Sequence, residues 1–268
     1  MRLSEPAPAK LNLALHVRGT LPDGRHALET IFAFCTDGDR LDGEDSDKLS
    51  LDIVGPFADS LAADDQNLVL RAAHALADAA NIEPKAALTL TKNLPIASGM
   101  GGGSADAAAA LRLLTRLWNL NPSFAVDVAP KIGSDVPACL LSLSARGTES
   151  GDKLELVQDL AISGQAVLLV NPRVALSTRD VFATWDGIDR GPLGDWRRGR
   201  NDLALPARSL VPAIGDVLDW LKNRTGANLV RMSGSGATCF ALFGNEAARD
   251  AAAAACPVEW WHLATDLR

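Results

Sequence analysis

The sequence predicts an α+β fold in two parts, and three observations predict it. Strand-like and helix-like stretches mix without the regular β–α–β rhythm of a doubly wound sheet. At 268 residues the chain suits one large domain or two modest ones, with a core that needs neither disulfides nor a structural metal. A polar, glycine-bearing stretch from Gly147 to Lys153 places the boundary near residues 150–157.

Each element has a local reason. The run Lys10-Leu11-Asn12-Leu13-Ala14-Leu15-His16-Val17 alternates, the mark of a half-buried strand. Leu11, Leu13, Leu15 and Val17 face the core, which leaves Lys10 and Asn12 on the other face, about 6.6 Å apart by strand rise. Leu21-Pro22-Asp23-Gly24 carries turn chemistry, and 28–34 reads as a second strand. The acidic stretch from Asp37 to Asp47 reads as a solvated hairpin or loop, and 49–54 alternates again. Residues 67–80 predict a helix with Val69, Ala72, Ala73, Leu76 and Ala80 on one stripe. A strand over 87–92 leads into a glycine run, followed by a helix over 105–118 with Ala107, Leu111, Leu114 and Trp118 inward. Ser123 caps a further helix through Lys131 that stops at Gly133. In the second half, strands are expected near 153–157 and 166–170, a loop over 186–201, and a helix over 212–222. A second glycine segment, Ser233-Gly234-Ser235-Gly236, precedes a strand over 238–243, an alanine helix over 246–255 and a last strand near 259–265.

Composition narrows the function. The 47% hydrophobic and 22% charged fractions are those of a folded globular chain. A net charge of −7 argues against nucleic acid as a partner, so an anionic ligand must be held by local devices such as a helix N-terminus or a few placed lysines. Cys35, Cys139, Cys239 and Cys256 lack metal or redox spacing and read as small apolar residues of a reducing compartment. No apolar run reaches membrane-spanning length, and the first residues lack the build of a signal peptide. A cytoplasmic location with no membrane partner is the expectation.

The chemistry points to the segment Pro95-Ile96-Ala97-Ser98-Gly99-Met100-Gly101-Gly102-Gly103-Ser104-Ala105-Asp106-Ala107. Its four glycines let backbone approach a ligand, and Ser104 is a good N-cap for the helix behind it. Free N–H groups and the positive helix end converge there, which makes an anion site; a flexible linker before a helix is the weaker alternative. It is not a Walker A loop, because Gly103 is followed by Ser104 rather than by lysine. Nor is it a dinucleotide fingerprint, because 94–98 separates it from the strand and 119–126 holds no carboxylate.

This segment resembles the ATP loop of the GHMP kinase superfamily. Pro8-Ala9-Lys10-Leu11-Asn12-Leu13 with Asp23-Gly24-Arg25-His26 resembles the amino-terminal motif of that superfamily, and Ser233-Gly234-Ser235-Gly236-Ala237 the third motif. Asp65-Gln66-Asn67-Leu68-Val69, Gly133-Ser134-Asp135-Val136-Pro137, Asn201-Asp202-Leu203 and Arg231-Met232 match as well, over almost the whole chain. Together they resemble the members whose acceptor carries a cytidine diphosphate group.

The resemblance implies a two-domain GHMP kinase-like fold, with an ATP-binding part over 1–152, a C-terminal part over 153–268 and the active site in the cleft between them. It implies ATP as phosphoryl donor with Mg2+, whose ligands it does not give, and a small-molecule acceptor. Lys10 and Asp135 are the implied catalytic pair, Asp135 as base toward the acceptor hydroxyl and Lys10 as the charge that lowers its pKa. A surface salt bridge is the plain alternative for both. Pro95 to Ala105 would bind ATP. Asn12, Arg25, His26, Phe32 and Phe182 are the acceptor-site candidates, with an exposed amide, a loop histidine and core phenylalanines as the plain alternatives. His74 and His262 carry no motif.

The chain departs from the family pattern in three places. Arg25 stands where tyrosine is usual, so a guanidinium would replace an aromatic ring against the base. Ala105 replaces a second serine, and Gly147-Thr148-Glu149-Ser150-Gly151 is looser than the usual Gly-x-Gly-Glu. Two other readings stay open: a GHMP kinase for mevalonate, homoserine or a sugar, and a catalytically silent nucleotide-binding regulator.

Overall fold

Two long strands open the chain in the computed structural model, which describes residues 1–157 and 162–268. The first, β1 (Arg2–Thr20), pairs with β2 (His26–Glu44) across a turn in which the Leu21 N–H donates to the Arg25 carbonyl at 2.7 Å. Both run well beyond the stretches that alternate clearly. Residues 7–16 of β1 are buried without a break, so the strand is covered on both faces rather than one. Lys10, Asn12 and His16 therefore lie on a second buried face, not a solvated one.

The acidic stretch is also corrected. Residues 37–44 are not a solvated loop; they continue β2 and pair antiparallel with β4 (Ala87–Thr91), Arg40 opposite Thr91 and Glu44 opposite Ala87. Strand alternation puts Asp39, Leu41 and Gly43 on one buried face, and Asp39 is tolerated there because it meets a buried cation.

The described chain forms two compact units. The first comprises Met1–Ala9, Asp37–Ile96 and Gly101–Ser142. In it β3 (Ser50–Val54) runs parallel to β4, which continues the order β3–β4–β2. Helices α1 (Leu68–Ala80), α2 (Gly102–Leu117), α3 (Ser123–Ile132) and α4 (Val136–Leu141) complete it, with α1 packed on α2 and α3, and α2 on α4. The Asn67 side chain caps α1 by accepting the Val69 N–H at 3.0 Å. Val69, Leu76, Ala107, Leu111 and Leu114 are buried, as their helical spacing predicts.

Two helix starts differ from expectation. Ser104 is not the cap of α2: the helix begins at Gly102 with Gly101 as N-cap, and Ser104 lies within its first turn. Glycine can enter the helix from a left-handed residue and pack closely, so burial of Ala105 onward draws the helix back into the glycine run. Similarly α3 is capped at Pro122, with Ser123 as its first residue.

The second unit comprises Lys10–Thr36, Ala97–Met100 and Leu143–Arg268. The first half of β2 pairs antiparallel with β5 (Ala145–Thr148), which pairs with β6 (Lys153–Leu156). A separate antiparallel sheet has the order β10–β7–β9–β8, from β7 (Ala166–Asn171), β8 (Ala227–Met232), β9 (Cys239–Phe243) and β10 (Trp261–Asp266). Around it lie α5 (Thr178–Ala183), α6 (Ala204–Leu210), α7 (Ala213–Lys222) and α8 (Glu246–Ala254). Leu168 and Val170 of β7 meet Val217 and Leu221 of α7 and Phe243 of β9 in one core. The short elements α4, α5, α6 and β5 escape the sequence pattern because none is long enough to show a period. Cys35, Cys139 and Cys239 are buried. Among the described residues no helix is long and apolar enough to cross a membrane.

Candidate active site

The site residues of the second unit converge on β1. The Lys10 N–H donates to the Met100 carbonyl at 3.0 Å, which fastens the strand to the end of the Ala97–Met100 segment. The Lys10 ammonium donates to Asn12 Oδ1 at 3.3 Å and stands 4.8 Å from the centre of the buried Phe32 ring. Lys10 and Asn12 do share a face, and the amide of Asn12 is engaged at both ends. Its Nδ2 donates to Thr30 Oγ1 at 2.8 Å, and that hydroxyl donates in turn to the Ala14 carbonyl at 2.7 Å. This chain fixes the amide orientation, so Asn12 Oδ1 is the end that faces the ammonium.

The third glycine segment closes on the same place. Ser233 Oγ accepts the Asn12 N–H at 3.2 Å and donates to the Gly99 carbonyl at 2.9 Å. The Thr238 N–H donates to the Ser98 carbonyl at 3.0 Å. Asn201 Nδ2 holds the Met232 and Gly234 carbonyls, each at 2.8 Å, which braces the Ser233–Gly236 turn from behind. Gly99 is required here twice over. Its φ is +76°, and a Cβ would lie 2.5 Å from the Ser233 carbonyl oxygen.

The loop then turns through Gly101, left-handed at φ +62°, into the first turn of α2. A glycine cap supplies no side-chain oxygen to the N–H groups of that turn, and a helix start of this kind can receive an anion. Backbone N–H groups and a hydroxyl such as that of Ser104 suit phosphate oxygens rather than a cation. Pro95, Ser98, Met100 and Ala105 are buried, whereas Ala97 and Gly103 are exposed and Ile96, Gly99, Gly101, Gly102 and Ser104 lie between.

Asp135, in the first unit, is the N-cap residue of α4, half-buried, with Pro137 in the first turn of that helix. Its carbonyl accepts the Cys139 N–H at 3.1 Å, leaving the carboxylate on a short, rigid corner after Gly133.

A second group in the second unit is aromatic. His26 stacks on Phe182 with centroids 4.6 Å apart and planes at 29°, and meets Trp185 edge-on at 5.6 Å. Burial lowers the His26 pKa, which favours the neutral ring. Arg25 does not join this stack. Its guanidinium is spent on Asp23 at 2.8 Å, on Ser150 Oγ and on Asp152 at 3.3 Å.

Sequence reasoning missed Trp185 and the pair Asp39 and Lys92. Trp185 stands three residues after Phe182, a spacing that signals one helical face. The signal for Asp39 was alternation with Leu41 inside a stretch whose charge suggested solvent.

Two domain families match the chain: the GHMP kinases N terminal domain over residues 67–142 and the GHMP kinases C terminal domain over 186–261. The chain belongs to the GHMP kinase family. It is 50% identical to the 4-diphosphocytidyl-2-C-methyl-D-erythritol kinase of Rhizorhabdus wittichii, over 100% of this chain and 96% of that protein. It is 48% identical to the kinase of the same name from Novosphingobium aromaticivorans, over 100% of this chain and 94% of that one. A crystal structure of 4-(cytidine 5'-diphospho)-2C-methyl-D-erythritol kinase superposes with a TM-score of 0.83 at 29% identity, covering 100% of this chain and 99% of that one.

Proposed function

We propose that the protein is a kinase that transfers the γ-phosphoryl group of ATP to the 2-hydroxyl of 4-diphosphocytidyl-2-C-methyl-D-erythritol, a step of the non-mevalonate route to isoprenoid precursors. One observation carries this reading. Lys10, Asn12, the glycine loop and the Ser233 turn are joined by direct hydrogen bonds, in a chain whose full-length relatives bear that kinase's name. A cytoplasmic enzyme with an ATP-binding part over 1–152 and a C-terminal part over 153–268 belongs to the same reading.

Phosphoryl transfer asks for positioning and charge neutralisation more than for covalent chemistry. Pro95 to Ala105 would receive the phosphates on backbone N–H groups and the positive end of α2. Asp135 would accept the proton of the acceptor hydroxyl, and Lys10, aimed by Asn12, would neutralise the charge that develops there. Mg2+, bound through the phosphate oxygens, would supply further neutralisation. His26 and Phe182 offer a flat apolar wall to the cytosine, with Phe32 supporting Lys10 from below and Arg25 held beside the turn.

A coupled assay of ADP release across a panel of acceptors tests the reading. The cytidine diphosphate acceptor should give kcat/KM at least 100-fold above mevalonate, homoserine or galactose. Equal or better turnover of any of those three would overturn it.

A further inference from the structure

Against the first turn of α2, within the first unit, lies a buried charge cluster. Lys92 follows β4 directly and is buried. Its ammonium donates to Asp39 Oδ2 and, at 2.6 Å, to Asp106 Oδ2. The other oxygen of Asp39 accepts the N–H groups of Asn93 at 2.6 Å and Leu94 at 2.8 Å, so the chain leaving β4 is tied to the same carboxylate. Asp106 Oδ1 is buried and has no hydrogen-bond partner among the described residues. Taking three charges out of water is costly, and neutral groups of similar volume often serve stability as well. Stability alone is thus a weak reason for the cluster.

Its location supplies a better one. A Cβ on Gly102 would lie 3.2 Å from Lys92 Nζ and 3.7 Å from Asp39 Oδ2, so the ammonium is in close contact with the first residue of α2. Asp106 sits one turn further along the same helix. The lysine therefore bridges the β2–β4 pair to the first turn of α2. Burial pushes the Asp106 carboxyl up to about 7, with Lys92 opposing and Asp39 reinforcing the rise.

We propose that Lys92 is a positioning residue for the nucleotide: gripped by Asp39 and Asp106, it sets Gly102 and the first turn of α2 to receive the phosphates without touching them. The inference rests on the reading of Pro95 to Ala105 as a nucleotide cradle. Asp106→Ala releases the ammonium from α2, whereas Asp106→Asn leaves it an oxygen. By calorimetry with ATP and by steady-state kinetics, Asp106→Ala should raise both Kd and KM for ATP at least fivefold, with the acceptor KM within twofold. Asp106→Asn should recover most of that loss. The triple variant Asp39→Asn, Lys92→Met, Asp106→Asn removes every charge and should lose ATP affinity as Asp106→Ala does, with a near-native Tm. Unchanged ATP affinity in either folded variant, beside a wild type that binds ATP, overturns the inference. Failure of both to fold makes the cluster structural and overturns it too. A wild type that does not bind ATP removes the cradle reading, and the role of Lys92 with it.

Discussion

The backbone N–H of Lys10 donates to the carbonyl of Met100 at 3.0 Å. Main chain bonded to main chain sets the lysine's root against the glycine loop independently of any side-chain rotamer, and Asn12 then aims the ammonium. A preorganised cation of this kind is worth most when charge develops beside it.

Lys10→Ala removes that cation and should raise the barrier by about 2.7–4 kcal/mol, the loss typical of a preorganised donor at a charged transition state. Asp135→Asn should lower kcat by about 10²–10⁴-fold, with little change in ATP affinity. Circular dichroism and Tm report folding beside the kinetics. Turnover within threefold of wild type in either variant contradicts its assigned role.

The glycines of the loop differ in kind. Alanine at Gly99 meets backbone at 2.5 Å in a left-handed conformation and has nowhere to go. Alanine at Gly102 meets side-chain atoms rather than backbone, the Lys92 ammonium at 3.2 Å and Asp39 Oδ2 at 3.7 Å. Gly99→Ala should therefore cost about 1–3 kcal/mol and lower Tm by several degrees. Gly102→Ala should keep its Tm and lose ATP affinity instead. Calorimetry beside thermal melts separates the two, and equal Tm losses would refute the distinction.

Acceptor recognition should follow the aromatic group. Phe182→Ala removes the ring stacked on His26 and should raise the acceptor KM about tenfold, leaving the KM for ATP unchanged. Arg25→Ala should raise it less than threefold, because its guanidinium is engaged by Asp23, Ser150 and Asp152. The reverse order of effects would return the base contact to Arg25.

Asp106 gives a pH dependence of stability. Its folded pKa of about 7 lies above the ordinary aspartate value of 3.8, so between those values the folded state binds more protons than the unfolded chain. Its contribution is therefore complete in acid and is lost as pH rises toward 7, at up to about 1.4 kcal/mol per pH unit for one proton. Asp106→Asn should remove this decline, so its stability relative to wild type grows from pH 5 to pH 7 in urea titrations. A stability difference that stays flat across that range would show an ionised Asp106 throughout.

Much of the site was legible in the sequence because it rests on local chemistry. The glycine run, the Lys10–Asn12 face and the Ser233 turn each carry their meaning within a few residues, and the structure joins them by hydrogen bonds. What escaped depends on partners distant in sequence. Asp39 looks solvated until Lys92, 53 positions on, neutralises it. Ser104 is a better cap than Gly101 by propensity, but burial of the alanines behind it moves the helix start. Gly102 was read as room for phosphate, and the structure adds the lysine beneath it.

Phosphorus and carbon NMR of the product formed from ATP and 4-diphosphocytidyl-2-C-methyl-D-erythritol identifies the hydroxyl that receives the phosphoryl group. ADP and a single new phosphomonoester on the carbon that bears the 2-hydroxyl are expected, formed at equal rates with one ATP consumed per ester. ATP hydrolysis without an ester, or phosphate on another hydroxyl, would contradict the proposed reaction.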